Sequence, residues 1–115
     1  MGSFRDLDVY QRSCALANAV ARSVHGWEKE SLWTCGVQLI RAADAVGANI
    51  AEAYGRDTIK DRRRQIFLAR GSAFEVEHWL DLAATRGLPI PPRARSEAQE
   101  VSRMLTGLAR HLSRA

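Results

Sequence analysis

A carboxylate and an imidazole share one helical face in the second half of the chain, where Glu75 and His78 are three residues apart. Di-iron helical bundles use this Glu-x-x-His motif twice and add a glutamate from each of two further helices. The other histidines, His25 and His111, have no glutamate three residues before them, so the second copy is missing. We therefore expect no metal site and no cofactor, and we interpret His78 as a solvated side chain.

Other catalytic arrangements do not emerge from the sequence. It contains neither a serine nucleophile elbow nor a glycine-rich phosphate loop. The three histidines lie in three separate segments and form no plausible general-base pair. Cys14 and Cys35 lack the spacing of a zinc site or a disulfide framework. We expect a protein that is not an enzyme.

Basic side chains are concentrated in two segments. Five of them oppose Asp61 alone across residues 60–70, and residues 93–114 carry five arginines against two glutamates. A charged helix face is usually just solvated, but an oligomer would repeat it and bring many phosphate contacts onto one particle. Trp27 is interpreted as a packing anchor, with base stacking as the alternative. The predicted nucleic-acid contacts are Lys60, Arg62, Arg63, Arg64, Arg70, Arg103, Arg110 and Arg114.

Polar residues interrupt the apolar faces of the second and third helical segments. They are Gln38, Arg41, Asn49, Glu52, Arg56, Ser72 and Glu75. Arg56 follows Glu52 by one helical turn, which predicts an ion pair, and the small residues at 71–73 favour close helix packing. A buried and satisfied network of this kind specifies packing register, which is the favoured interpretation. A ligand or partner site is the alternative.

Apolar residues recur at spacings of three and four, which predicts helices and no strands. The predicted helices span about residues 5–25, 29–55, 59–86 and 92–113. Thr58 with Asp61 forms a capping pair for the third helix, and Gly87 ends it. Short connections predict an all-α, antiparallel up-down-up-down four-helix bundle that forms a single domain over residues 1–115.

The first two helices each carry two apolar stripes, although a small bundle needs only one per helix. In helix one, Leu7, Tyr10 and Cys14 begin the first stripe, while Val9 and Leu16 belong to the second. The surplus stripe would be buried against another chain. We therefore expect a homo-oligomer whose interface comes mainly from helices one and two. The alternative is a broad core-facing surface. Glycines within the second helix are interpreted as close-packing points.

Composition supports a small globular protein. The chain has 115 residues, of which 46% are hydrophobic and 26% charged, with a net charge of +4. This balance is that of an ordinary folded domain. No apolar run reaches the roughly 18 residues that cross a bilayer, and the first residues have no apolar signal core. We expect a cytoplasmic protein without a membrane partner.

Three blocks of residues follow one another in a specific order and spacing. The first is Phe4-x-Asp6-Leu7-x-Val9-Tyr10-Gln11. The second is Gln38-Leu39-Ile40-Arg41-Ala42-Ala43, followed by Asn49-Ile50-Ala51-Glu52-Ala53-Tyr54-Gly55-Arg56. The third is Thr58-x-Lys60-Asp61, followed by Phe67-Leu68-x-Arg70-Gly71-Ser72-x-x-Glu75. Together they resemble the 23S rRNA-intervening-sequence proteins, also called four helix bundle proteins. Ala53 stands where that family usually has glycine, and Gly47 where it often has proline.

The resemblance implies a four-helix protomer that assembles into a ring-like homopentamer without known enzymatic activity. Members are encoded within intervening sequences of ribosomal RNA genes. A related branch serves as the accessory protein of diversity-generating retroelements and binds a reverse transcriptase and nucleic acid through a basic surface. We therefore expect a non-catalytic, oligomeric accessory protein that binds RNA or DNA, with RNA favoured. The alternative is a pentameric protein-interaction scaffold without a direct nucleic-acid role.

Overall fold

Four helices account for most of the computed structural model, which describes residues 2–113. A 3₁₀ turn at Phe4–Asp6 precedes α1, which spans Asp8–His25. Helix α2 covers residues 29–53, α3 spans Ile59–Thr85, and α4 spans Ala94–Ser113. The described range contains no strand, so the predicted all-helical class with four helices is confirmed. Helices one and four begin slightly later than predicted.

The predicted ends of α3 are confirmed by hydrogen bonds. At its start the Thr58 hydroxyl accepts a hydrogen bond from the backbone N–H of Asp61 at 3.1 Å. At its end Gly87 has a φ of 74°, a left-handed conformation that glycine adopts without steric cost. This turn lets the Leu88 N–H donate to the Ala83 carbonyl at 2.9 Å.

Each helix packs against two neighbours. Helix α2 lies between α1 and α3, and α4 lies between α3 and α1. Across the described residues, no Cα atoms of α1 and α3, or of α2 and α4, lie within 8 Å of each other. Contacts run in opposite order along α1 and α4. Arg12 in α1 contacts Glu97 in α4, whereas Ser23, further along α1, contacts Pro89, which precedes α4. The result is a rod of 46 × 19 × 19 Å with its core along the axis.

The double apolar striping of the first two helices is mostly absorbed by the chain's own core. In α1 the stripe containing Val9 and Leu16 is buried, and Tyr10 of the other stripe packs half-buried against the same core. In α2 the large apolar side chain that stays exposed is that of Trp33. The exposed large apolar side chains otherwise belong to α3. The two apolar stripes on each of the first two helices therefore form a broad core-facing surface. They give no support for an oligomer interface on those helices.

Helix α2 contains one irregular turn, a π-helical segment at Leu32–Gly36 in which the Val37 N–H donates to the Leu32 carbonyl. Gly36 faces the core there. A Cβ on it would lie 2.8 Å from Cγ1 of Val24 and 3.3 Å from Cε3 of Trp27. This glycine is a close-packing point between α1 and α2, as predicted.

Trp27 lies in the turn between α1 and α2 and is only 6% exposed. Its indole N–H donates to the Pro89 carbonyl at 2.8 Å, and the Ser23 hydroxyl donates to the same carbonyl at 2.9 Å. Together these bonds tie the end of α1 and the turn after it to the connection between α3 and α4. The interpretation of Trp27 as a packing anchor is confirmed.

Candidate nucleic-acid interface

The three consecutive arginines at the start of α3 point in different directions, because successive residues on an α-helix are rotated by about 100°. Arg62 turns back toward the end of α2. Its guanidinium lies 5.0 Å from the centroid of the Tyr54 ring and donates to the carbonyls of Ala53 at 3.2 Å and Arg56 at 3.4 Å. Arg62 thus caps α2 and does not join the other predicted nucleic-acid contacts. Burial raises the pKa of the Tyr54 hydroxyl.

Two of the predicted basic residues cross from α3 to α4. Arg63 donates to the Ala109 carbonyl at 3.3 Å, and Arg70 donates to the Thr106 hydroxyl at 3.2 Å. Each bond uses one of the five N–H donors of a guanidinium. Their charges are therefore held over the seam between α3 and α4.

Further basic residues lie beside this seam. Arg103 precedes Thr106 by three residues and Arg110 follows it by four, so both neighbour Thr106 on the surface of α4. Both are exposed, and Arg103 also forms an ion pair with Glu100. We call the surface along this seam the α3/α4 face. It comprises Lys60, Arg63, Arg64, Phe67, Arg70, Arg103 and Arg110. Arg114, the remaining predicted contact, lies outside the described residues.

An aromatic ring lies within the α3/α4 face. The Phe67 side chain is 38% exposed, with the guanidinium of Arg70 at 4.7 Å and that of Arg63 at 5.6 Å from its ring centroid. An open cavity of about 550 Å³ borders this ring and is also lined by Lys60 and Arg64. Phe67 is not among the contacts predicted from the sequence. Its position four residues after one arginine and three before another is the signal that could have found it.

A second cavity adjoins the first and shares Asp61 and Arg64 with it. This cavity of about 250 Å³ is lined by Arg56, Asp61, Arg64 and Gln65. Gln65 is 8% exposed, and its side-chain Oε1 is buried without a hydrogen-bond partner among the described residues.

The predicted polar network lies at the surface of the single chain. Asn49 and Ser72 are half-buried, and the exposed members are Gln38, Arg41, Glu52, Arg56 and Glu75. The predicted ion pair is confirmed, because Arg56 donates to Glu52 at 2.6 Å. Most of these polar residues are therefore not buried within one bundle. Their exposure gives no support for a role in setting the packing register between helices of one chain. Among the small residues, Ala73 is buried, whereas a Cβ on Gly71 would meet nothing within 4 Å.

The single Glu-x-x-His motif, Glu75 with His78, is also exposed. Glu75 and His78 both lie on the solvent side of α3, and the His78 ring packs edge-on against Trp79 at 4.8 Å. Over residues 2–113 no three histidine, cysteine, aspartate or glutamate side chains gather as metal ligands. None of the helices in that range is long and apolar enough to span a membrane.

Comparison with known proteins agrees with the three sequence blocks. A model of the family described as 23S rRNA-intervening sequence protein matches residues 5–107, which is most of the chain. The resemblance inferred from the sequence is therefore confirmed. No curated protein matches the chain.

Proposed function

The chain belongs to the 23S rRNA-intervening sequence protein family, and we propose that it is a non-catalytic, oligomeric accessory protein that binds nucleic acid, with RNA favoured over DNA. The observation that carries this proposal is the α3/α4 face, where hydrogen bonds to α4 hold Arg63 and Arg70 beside further exposed basic residues. The cytoplasm is the proposed compartment.

The proposed mechanism is polyvalent and largely independent of nucleotide sequence. Arginine recognises phosphate through its fork of N–H donors, and each phosphate contact releases counterions from the nucleic acid. A single chain with a net charge of +4 makes few such contacts. A symmetric assembly repeats the face on every copy and so raises the overall affinity.

Assembly is part of the proposal. We propose a homopentamer of antiparallel up-down-up-down bundles, and the opposite order of contacts along neighbouring helices supports that topology. The exposed polar residues on α2 and α3, from Gln38 to Glu75, would then set register between copies. Leu68 is exposed on α3 and supports a contact between copies there. Light scattering coupled to gel filtration measures the number of chains.

Salt-dependent binding tests the nucleic-acid role. Fluorescence anisotropy of a labelled structured RNA is measured across salt concentrations with nuclease-treated protein of known oligomeric state. The affinity should fall linearly on a log–log plot, by about 0.7 to 0.9 per phosphate contact. Replacing Arg64 and Arg110 by glutamine should weaken binding and flatten the slope. No binding at low salt would contradict the proposal.

A matched control separates the α3/α4 face from total charge. Arg22 is exposed on α1, which does not contact α3 within the described residues, and Lys29 is exposed at the start of α2. The Arg22→Gln, Lys29→Gln double variant removes the same charge as the Arg64→Gln, Arg110→Gln variant. It should retain more affinity for RNA. Equal losses for both pairs would contradict a specific face.

A second candidate function is supported by the exposed apolar side chains. Trp33 on α2 is 67% exposed and Phe74 on α3 is 56% exposed, and either side chain could contact another protein. In this alternative the assembly is a scaffold for a partner such as a retroelement reverse transcriptase, without direct nucleic-acid contact. Salt separates the two functions, because an apolar protein interface responds little to it. A reverse transcriptase that binds equally at low and high salt would favour the scaffold.

A further inference from the structure

The α3/α4 face differs from a purely charged surface in one respect, because an aromatic ring lies among its cations. Phosphate contacts need only charge, whereas an exposed ring offers a stacking surface for an unpaired base. The Phe67 side chain is 38% exposed, and the guanidinium carbons of Arg63 and Arg70 lie over its ring. This combination suits a single-stranded nucleotide, which has both a phosphate and an unstacked base.

From this geometry we infer that the cavity beside Phe67 binds an unpaired nucleotide of RNA, with its base stacked on the Phe67–arginine cluster and its phosphate on Lys60 and Arg64. The inference rests on the proposed function and adds the structural class of the nucleic acid, which is single-stranded segments, loops and ends.

The size and lining of the cavity support this ligand. Its volume of about 550 Å³ falls within the range of small-molecule sites, about 300–1,000 Å³. Lys60 and Arg64 lie at positions four residues apart on α3 and thus on the same side of the helix, and both line the cavity with Phe67. Asp61 is the acidic residue of this lining, so positive charge dominates it.

The two arginines around Phe67 are held in place before any ligand arrives. Arg63 is bonded to the Ala109 carbonyl and Arg70 to the Thr106 hydroxyl, so both guanidinium groups are anchored to α4. A guanidinium plane also stacks on bases, which extends the platform that the ring provides. Preorganised side chains lose less conformational freedom on binding than free ones.

The test compares single-stranded and duplex RNA of the same length and label by fluorescence anisotropy. Replacing Phe67 by alanine removes the ring but no charge. Binding of single-stranded RNA should weaken about 5- to 100-fold, the range expected for loss of base–aromatic stacking. Duplex binding and the salt slopes should stay close to those of the unaltered protein. Phe67→Trp should restore the affinity for single strands.

Phe74 provides the matched control on the same helix. It lies seven residues after Phe67, on the same side of α3, and is more exposed. The Phe74→Ala variant should bind single-stranded RNA like the unaltered protein. Circular dichroism and light scattering establish that each variant keeps its helical content and assembly state.

The possible failures are distinguishable. An unchanged affinity of Phe67→Ala for single strands overturns the inference and leaves the electrostatic proposal standing. An equal loss for single-stranded and duplex RNA, or for Phe67→Ala and Phe74→Ala, also overturns it. If the unaltered protein binds neither RNA at low salt, the proposed function fails and this inference fails with it.

Discussion

Arg62 lies over the ring of Tyr54, with its guanidinium carbon 5.0 Å from the ring centroid. The same side chain donates to the Ala53 carbonyl at the end of α2, which also accepts a hydrogen bond from the Arg56 backbone N–H. The contact joins the end of α2 to the start of α3 across a short connection. One of the arginines predicted to bind nucleic acid therefore stabilises the junction between two helices.

This relationship predicts different effects for two neighbouring substitutions, one on stability and one on RNA binding. Arg62→Ala should lower the free energy of unfolding by about 1–2 kcal/mol, through loss of the carbonyl hydrogen bond and the cation–π contact. Arg64→Ala, at an exposed position two residues later, should change stability by less than about 0.5 kcal/mol and weaken RNA binding. Urea denaturation gives the stabilities. A larger stability loss for Arg64→Ala would show that the two roles are assigned the wrong way round.

The Trp27 anchor predicts a second contrast. Trp27→Phe should lower stability by about 1–3 kcal/mol, because it leaves a gap in the core and removes the hydrogen bond to Pro89. Trp33→Phe makes the same chemical change at an exposed site and should cost less than about 0.5 kcal/mol. Urea denaturation compares them. Equal costs would mean that burial of Trp27 contributes nothing.

Two glycines in helices should respond to alanine with opposite signs. At Gly36 the new Cβ would lie 2.8 Å from Cγ1 of Val24, so overpacking of about 1–3 kcal/mol should exceed the gain in helix propensity of about 1 kcal/mol. At Gly71 the Cβ meets nothing within 4 Å, and Gly71→Ala should stabilise the protein. Melting temperatures of both variants test this. A stabilised Gly36→Ala variant would contradict close packing of α1 on α2.

The Arg12–Glu97 pair predicts a pH dependence. Arg12 donates to both carboxylate oxygens of Glu97, at 2.7 and 3.0 Å, which lowers the pKa of Glu97 below its ordinary value of 4.5. The folded state therefore binds a proton there less readily than the unfolded state does. The stabilising contribution is complete above pH 4.5 and is lost as the pH falls through the lower pKa of the folded state.

The Glu97→Gln variant tests this dependence. It should be less stable than the unaltered protein near neutral pH, and the difference should shrink as both are acidified. In a double-mutant cycle with Arg12→Gln, the combined variant should lose little more than either single one. Additive losses would show that the two side chains act independently.

The number and type of the helices could be predicted because they depend on local pattern. Spacings of three and four mark the amphipathic helices, and Thr58 and Gly87 mark the ends of α3 through hydrogen bonds within a few residues. Capping and periodicity involve neighbours in the chain, so the sequence contains all the information they need. The ion pair of Glu52 with Arg56 belongs to the same class.

The candidate site was predictable only in part. Its charges are visible in the sequence, but their directions depend on which sides of α3 the neighbouring helices cover. This is why Arg62 is diverted to Tyr54 while Arg63 and Arg70 cross to α4. The sides of α2 and α3 that their neighbours leave uncovered also explain why most of the polar residues lie at the surface. For the same reason Phe67 is partly exposed among the arginines.

The sequence by itself determined the helical class, the ends of α3, the basic segments and the family resemblance. Tertiary structure alone decided which apolar stripe of α1 faces the core and which basic residues share a face. The physical reason is the range of the interactions. Helix formation is governed by contacts within about four residues, whereas burial and side-chain direction depend on helices distant in sequence. Arg70 and Thr106 illustrate this, since 36 positions separate two residues whose side chains are 3.2 Å apart.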